Sequence, residues 1–355
     1  MSKPRKPKPP ADLATAREQL DDARSRLAHL EAADRGNRAE IRRLQAEHGR
    51  ALEFSDSMAA ALRALPAVPR PPALKVSAGR SEVAMVAALG DWHIGERTVA
   101  AETDGFGSYD LATARRRIGT FCDRVQGWLD IMRRGYRIDR AHALILGDMI
   151  HGDIHPEEYL PTNELTVPEQ VAESGRLLAV TLSRLAAEVK TLTVDMIGAD
   201  NHGRRTKKPA SKEAARNSYN FLVYEIARAI LRAQGDRIEF RYHLPLKAEL
   251  QIEGQTVLIE HGHSSKAWMG IPYYGIERAQ GREARKRLPA GRAFRLHVMG
   301  HWHTPAELPG LILNGSLCGA NEYDSLAGRF AEPSQTTFLY HRAHGPFARI
   351  AWKLN

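Results

Sequence analysis

Five short stretches of the chain place imidazole, carboxylate or carboxamide groups directly after apolar runs. "ALGDWHIGE" carries Asp91 and His93, and "ILGDMIHGD" carries Asp148 with His151 and Asp153 behind it. "MIGADNHGRR" carries Asn201 and His202, "LIEHGHSS" carries His261 and His263, and "VMGHWHTP" carries His301 and His303. Singly, each has a bland reading, since Gly-Asp and Asn-His-Gly are ordinary turn sequences. Five in succession, each closing an apolar run, point to one shared site. Aspartate, asparagine and histidine together suit divalent ions such as Mn²⁺, Fe²⁺, Zn²⁺ or Ni²⁺ better than thiol-loving ones.

The elements that must position these groups can be read from periodicity. From about residue 80, "EVAMVAALGD", "ARRRIGTFCDRVQGWLDIMRRG", "AHALILGD", "PEQVAESGRLLAVTLSRLAAEV" and "TLTVDMIGAD" alternate between strand-like and helix-like patterns. That alternation predicts a sheet flanked by helices, whose ligands collect at the carboxyl ends of the strands. A further helix is expected over "SKEAARNSYNFLVYEIARAILRAQ". Past residue 236, "RIEFRYHL", "KAELQIEG", "QTVLIEHG", "FRLHVMGH", "GLILNGSL", "TTFLYHRA" and "ARIAWKLN" follow closely, and a second, more antiparallel sheet is expected to hold them.

The ordered series D-x-H, G-D-x-x-H, N-H, H-G-H and G-H-x-H resembles the calcineurin-like metallophosphoesterases over roughly residues 83–318. The resemblance implies an α/β fold, a four-layer αββα sandwich of two mixed β-sheets flanked by helices, with two divalent metal ions at one end. Carried over by motif, Asp91, His93 and His303 would hold the first metal and Asn201, His261 and His301 the second, with Asp148 bridging. His202 would contact the phosphate and protonate the leaving group. Two such metals polarise a phosphoryl oxygen and acidify a water for in-line attack. Mn²⁺ is the expected ion, with Fe, Zn, Ni or Mg as alternatives.

The family often places an acid after the Asn-His pair, where this chain has Gly203; Asp200 stands just before Asn201 as a candidate substitute. The G-D-x-x-H form at Asp148–His151 is similar to the DNA-repair exonuclease branch, and the whole arrangement to phosphoesterases of bacteriophages and mobile elements.

Around this centre the sequence supplies groups suited to a polyanion. Arg204, Arg205, Lys207, Lys208 and Lys212 follow His202 closely, and basic residues beside a phosphate-cutting site neutralise a nucleic-acid backbone. The bland reading is a solvated basic loop. Lys266, Arg278, Arg282, Arg285, Lys286 and Arg287 extend the set, and Tyr273 and Tyr274 are candidates to stack on bases. His151, His263 and Asn321 are expected to face substrate, with Glu322 and Tyr323 lining the same cleft.

The first ten residues read as a disordered basic tail. Residues 11–65 carry apolar groups at heptad spacing: Leu13, Leu20, Leu27 and Ile41 in one set, and Ala16, Ala23, Leu30 and Leu44 three positions on. This is the spacing of a coiled-coil helix, and it predicts a homo-oligomer through that segment; packing back onto the same chain is the alternative. A proline-rich linker over residues 66–80 separates it from a catalytic domain over 81–355.

A net charge of +9 favours acidic partners, so nucleic acid is the expected one. The two cysteines form no paired motif, no secretory signal is legible, and no apolar run approaches a membrane span. A cytoplasmic protein without a membrane partner is expected, in the host cytoplasm if phage-encoded. The composite expectation is a two-metal nuclease. A phosphomonoesterase or small-nucleotide phosphodiesterase is the second reading, and a non-catalytic nucleic-acid scaffold the third.

Overall fold

A computed structural model describes residues 12–68, 81–155, 163–209, 212–232, 237–267, 272–326, 328 and 330–355. The expected basic tail and most of the expected linker lie outside these residues. The chain divides into two compact units, residues 1–59 and 60–355.

The first unit is carried by α1 (Asp12–Ala64), a single helix of 53 residues that ends where Leu65 opens the proline-rich stretch. It continues through Gly36, and Leu20, Leu27, Leu30, Ile41 and Leu44 are all at least half exposed.

The second unit runs β1 (Ser81–Leu89), α2 (Leu111–Met132), β2 (Tyr136–Ile145), α3 (Val167–Ala187), β3 (Thr191–Ile197), α4 (Asn220–Leu231) and β4 (Ile238–His243). It continues with β5 (Lys247–Ile252), β6 (Gln255–Glu260), α5 (Pro272–Arg287), β7 (Leu296–Met299), β8 (Ala306–Leu308) and β9 (Leu311–Leu313). The short α6 (Glu322–Leu326) precedes β10 (Ser334–His341) and β11 (Gly345–Lys353).

The strands form two mixed sheets, ordered β11-β10-β1-β2-β3-β4 and β5-β6-β7-β9-β8. Alternate residues of β1, β2 and β10 (Val86, Leu144, Phe338) interlock with Leu250, Ile259 and Val298 of the second sheet in one buried core. Helices α3 and α4 pack on the first sheet, α2 lies beside α3 with its Trp128 ring 6.3 Å from Trp352 of β11, and Ile276 of α5 packs on Met299, Leu311 and Leu313 of the second sheet. The order helix, sheet, sheet, helix is the four-layer sandwich expected from the sequence.

Three local expectations change. The last strands do not all join the second sheet: β4 adds parallel to β3, and β10 returns antiparallel onto β1 with β11 beside it. Nearness in sequence misled there, because β4 follows a helical crossover and so extends the parallel sheet. The helix expected from residue 211 begins only at Asn220. Residues before it are drawn towards the loop after β3, where Arg205 N–H donates to Asn217 O and Tyr219 N–H to Gly203 O. Within the stretch 266–292, which has no strand pattern, α5 forms; the half-buried Tyr273 packs against the α5 core and Tyr274 stays exposed.

Candidate metal centre

The strands β1, β2 and β3 run parallel, as do β6 and β7, and the five motifs follow the carboxyl ends of these five strands. The loops after β1 and β2 are zipped together by backbone bonds: Asp91 N–H donates to Gly147 O (2.9 Å), and Trp92 and His93 N–H to Asp148 O (2.8 and 3.0 Å). From β10, buried Gln335 accepts from Gly90 N–H and donates to Gly90 O, both at 3.0 Å, which fixes where β1 releases its loop. Asp91, His93, Asp148, His301 and His303 all hold a left-handed backbone, with φ between 47° and 71°. Non-glycine residues rarely adopt this conformation, and a site that holds five of them keeps local strain for the sake of side-chain direction.

The side chains converge. His261 Nε2 lies 3.0 Å from Asp148 Oδ2 and 2.8 Å from Asn201 Oδ1, while its Nδ1–H faces Leu146 O at 2.9 Å. His93 Nε2 lies 3.9 Å from the same Asp148 oxygen, and His303 Nε2 lies 3.7 Å from Asp91 Oδ1. Asp91 accepts His301 N–H at 2.9 and 3.1 Å, a contact made possible at Gly300, where a Cβ would stand 2.4 Å from Asp91 Oδ2. Asp91, His93 and Asp148 form one trio of donors within 4.8 Å of one another, and Asp148, His261 and His301 form another. Asp148 belongs to both.

The donor set fits divalent cations. His93 is 2% exposed, yet neither ring nitrogen has a hydrogen-bond partner. Leaving a buried polar atom unmatched costs about 1–3 kcal/mol, a cost that a coordinated cation would offset. Burial alone would raise Asp148, but His261, His202 and His93 together hold its carboxyl well below the usual range. Burial likewise opposes a charge on His261, and Asp148 overrides it, raising the imidazole to about 10. For His93 and His301 burial wins, aided by neighbouring imidazoles, and both are held well below the ordinary histidine value. Burial raises Asp91 to about 6. These opposed shifts mark a site where protein groups alone balance the charges poorly.

His202 is placed differently from what Gly203 suggested. Its Nδ1 donates to His151 O at 2.8 Å and its backbone N–H to Asp148 Oδ1 at 3.0 Å. A main-chain carbonyl thus orients the ring where the family often uses an acid. Asp200 is no such substitute: its oxygens accept from the N–H of Asp148 (2.6 Å) and of Gly203 (2.9 Å) and from the Asn220 amide. It occupies the space a side chain at Gly203 would need, since a Cβ there would meet Asp200 Oδ1 at 2.9 Å. Burial and the Asp148 charge push Asp200 up to about 7.

Around this centre lie residues that sequence reasoning passed over. Asp324 Oδ2 contacts His303 Nδ1 at 3.2 Å and, against the effect of burial, helps raise that imidazole to about 9. Glu96 is buried with Oε2 3.9 Å from His93 Nδ1 and 3.7 Å from His151 Nδ1. Cys318, a buried thiol, falls within 4.8 Å of donors on His93 and His303, and His155 Nε2 meets Asn201 O at 3.2 Å. Glu96 stands three residues after His93, a spacing that could have flagged it; Asp324 comes from the short α6, in a stretch with no signal.

The expected substrate contacts are dispersed. His151 is buried behind His202 (ring centroids 5.4 Å), and the half-buried His263 lies 5.4 Å from the His261 ring. Asn321 donates to Glu96 Oε1 at 2.7 Å and accepts Asp324 N–H at 2.9 Å, so both ends of its amide brace the site. Glu322 accepts Val99 N–H at 2.9 Å, and the Tyr323 side chain lies outside the described residues. Arg204 folds back onto the carbonyls of Asn201, Thr206 and Lys207, whereas Arg205, Lys207 and Lys208 are exposed.

No protein-family model matches the chain, and no curated protein matches it in sequence. Solved structures do: a novel archaeal phosphodiesterase at 10% identity and TM-score 0.31, Zn²⁺-complexed wild-type Vps29 of Entamoeba histolytica at 15% and 0.31, and Chaetomium thermophilum Vps29 at 11% and 0.29. Each alignment covers 76% of this chain and 99% of the other. Among the described residues no helix is long and apolar enough to cross a membrane.

Proposed function

We propose that the protein is a two-metal phosphodiesterase that cuts nucleic acid. The observation that carries this reading is the sharing of Asp148 between two donor trios, one from the first sheet and one completed by the second. The motif order resembling calcineurin-like metallophosphoesterases supports it.

Asp91, His93 and His303 would hold one cation, Asn201, His261 and His301 the other, and Asp148 both. When bound, the pair supplies charge stabilisation for a phosphoryl group and a nucleophile usable near neutral pH. The remaining work belongs to the chain. The carbonyls of Leu146 and His151 take the Nδ1 protons of His261 and His202, so each ring directs Nε2 into the centre. Such outer contacts set tautomer and orientation. His202, held by its own N–H on Asp148, would donate its Nε2 proton to the departing oxygen. Arg205, Lys207 and Lys208, exposed beside it, would neutralise the flanking phosphates, as the net charge of +9 also favours.

The test is a panel of Mn²⁺, Mg²⁺, Ni²⁺ and Zn²⁺ against labelled DNA, labelled RNA and a chromogenic phosphomonoester, run with the Asp148→Asn variant alongside. Metal-dependent cleavage of a nucleic acid that the variant loses is expected. Turnover of the monoester alone would replace the nuclease reading, and no turnover with any ion would end it.

A further inference from the structure

The exposed apolar stripe of α1 selects its own partner. Taking Leu20, Leu27 and Ile41 as heptad position a, the d positions hold Ala23, Leu30, Asn37, Leu44 and Ala51, and the a positions also take Asp34 and His48. Two features of this series are unfavourable in a parallel, in-register pair. Ala23 and Ala51 would each face their own copies and leave thin layers. Asp34 would face Asp34, a like-charge contact in the seam.

We infer that two copies of α1 pair antiparallel about a two-fold axis between residues 35 and 36, so that residue i lies level with residue 71 minus i of the second copy. In an isologous pair every contact occurs twice, and an antiparallel seam sets a against d. Leu20 then meets Ala51, Ala23 meets His48, Leu27 meets Leu44, and Leu30 meets Ile41. Each small residue is matched to a larger one, and the two largest layers flank the centre. Asp34 meets Asn37, which gathers the polar groups into one central layer, where Arg38 already pairs with Asp34 at 2.8 Å in its own helix. Sliding the pair by one heptad either way sets Asp34 and Asn37 against leucine or isoleucine instead. A single polar layer is a known way to specify register.

The flanks agree. Along the antiparallel edges, two residues from exact level, Arg26 stands beside Glu47 of the second copy and Glu31 beside Arg38 of the second copy, each twice, and no like charges form such an edge pair between residues 20 and 51. These four side chains lie on the exposed helix surface. The parallel arrangement offers only Arg26 with Glu31. Volume, polarity and charge therefore select the same register, and the chain leaves the paired helices at opposite ends.

Sedimentation of the full-length protein tests the pairing. Twice the chain mass of 39.5 kDa is expected, and a species at the single-chain mass overturns the inference. Full-length Leu20→Cys and Ala51→Cys variants, mixed and exchanged in a glutathione redox buffer, test the direction. Both native cysteines are buried. The disulfide between position 20 of one chain and position 51 of the other is expected to dominate. In this register two copies of position 20 stand about 46 Å apart, 31 residues at 1.5 Å. A dominant disulfide between two Leu20→Cys chains would overturn the antiparallel assignment.

Discussion

Asp148 of the first sheet and His261 of the second meet at 3.0 Å, Oδ2 to Nε2, across the end of the sandwich. Both groups are shielded from bulk solvent: Asp148 is 1% exposed and His261 is fully buried. The contact brings the donors of both sheets to one carboxylate.

Replacing that carboxylate should therefore affect both cation positions. Asp148→Asn keeps the shape and removes the charge. Bound metal measured by elemental analysis should fall below two ions per chain. Cleavage should drop by at least about 10³-fold, the equivalent of several kcal/mol of lost charge stabilisation. Two ions retained at full occupancy would contradict the shared role.

In the proposed reading His202 would act on the leaving group rather than hold a cation. His202→Gln should leave metal content unchanged while lowering kcat about 10²–10⁴-fold on substrates with poor leaving groups. Diesters with an activated aryl leaving group need less protonation and should lose much less. Equal losses on both would assign His202 to binding rather than acid catalysis.

The Asp324 carboxylate reaches the centre through His303. Asp324→Asn should weaken cation affinity about 10–100-fold, measured by titration calorimetry, while saturating metal restores most of the activity. A loss that excess metal does not restore would point to general damage of the fold.

Glu260 connects pH to stability on the strand that delivers His261. Its carboxylate contacts His297 at 2.9 Å and pairs with Lys247. Although burial opposes it, these partners lower its value from 4.5 to about 2. A carboxyl depressed in the folded state stabilises above its unfolded value, so the contribution is complete above pH 4.5 and disappears as pH falls towards 2. A shift of this size corresponds to about 3 kcal/mol. Glu260→Gln should lower Tm at pH 7 and remove that part of the acid loss between pH 4.5 and 2, read by thermal melts across the range. Parallel melting curves for both proteins below pH 4.5 would contradict the assignment.

The motif residues were legible because each follows an apolar run, and period-2 patterns mark where strands end. The heptads of α1 were legible for the same reason, since a repeat of apolar positions is written directly in the chain. The element boundaries around Asn220 were not, because residues 212–219 are held by Gly203 and Arg205 rather than by their own helical preference. Nor was the sheet membership of β4, β10 and β11, which depends on which strand edge remains open after the crossovers.

By itself the sequence determined the kinds of donor, their order along the chain and the strands that carry them. The motif order also implied Asp148 as the shared group; only the tertiary structure decided that His151 O and not an acid holds His202, and that Asp200, Glu96 and Asp324 brace the centre. The reason is physical. Side-chain chemistry and periodicity are local properties, whereas a contact such as Asp324 with His303, or Glu96 with Asn321 across 225 positions, exists only after two packed sheets have brought distant loops together.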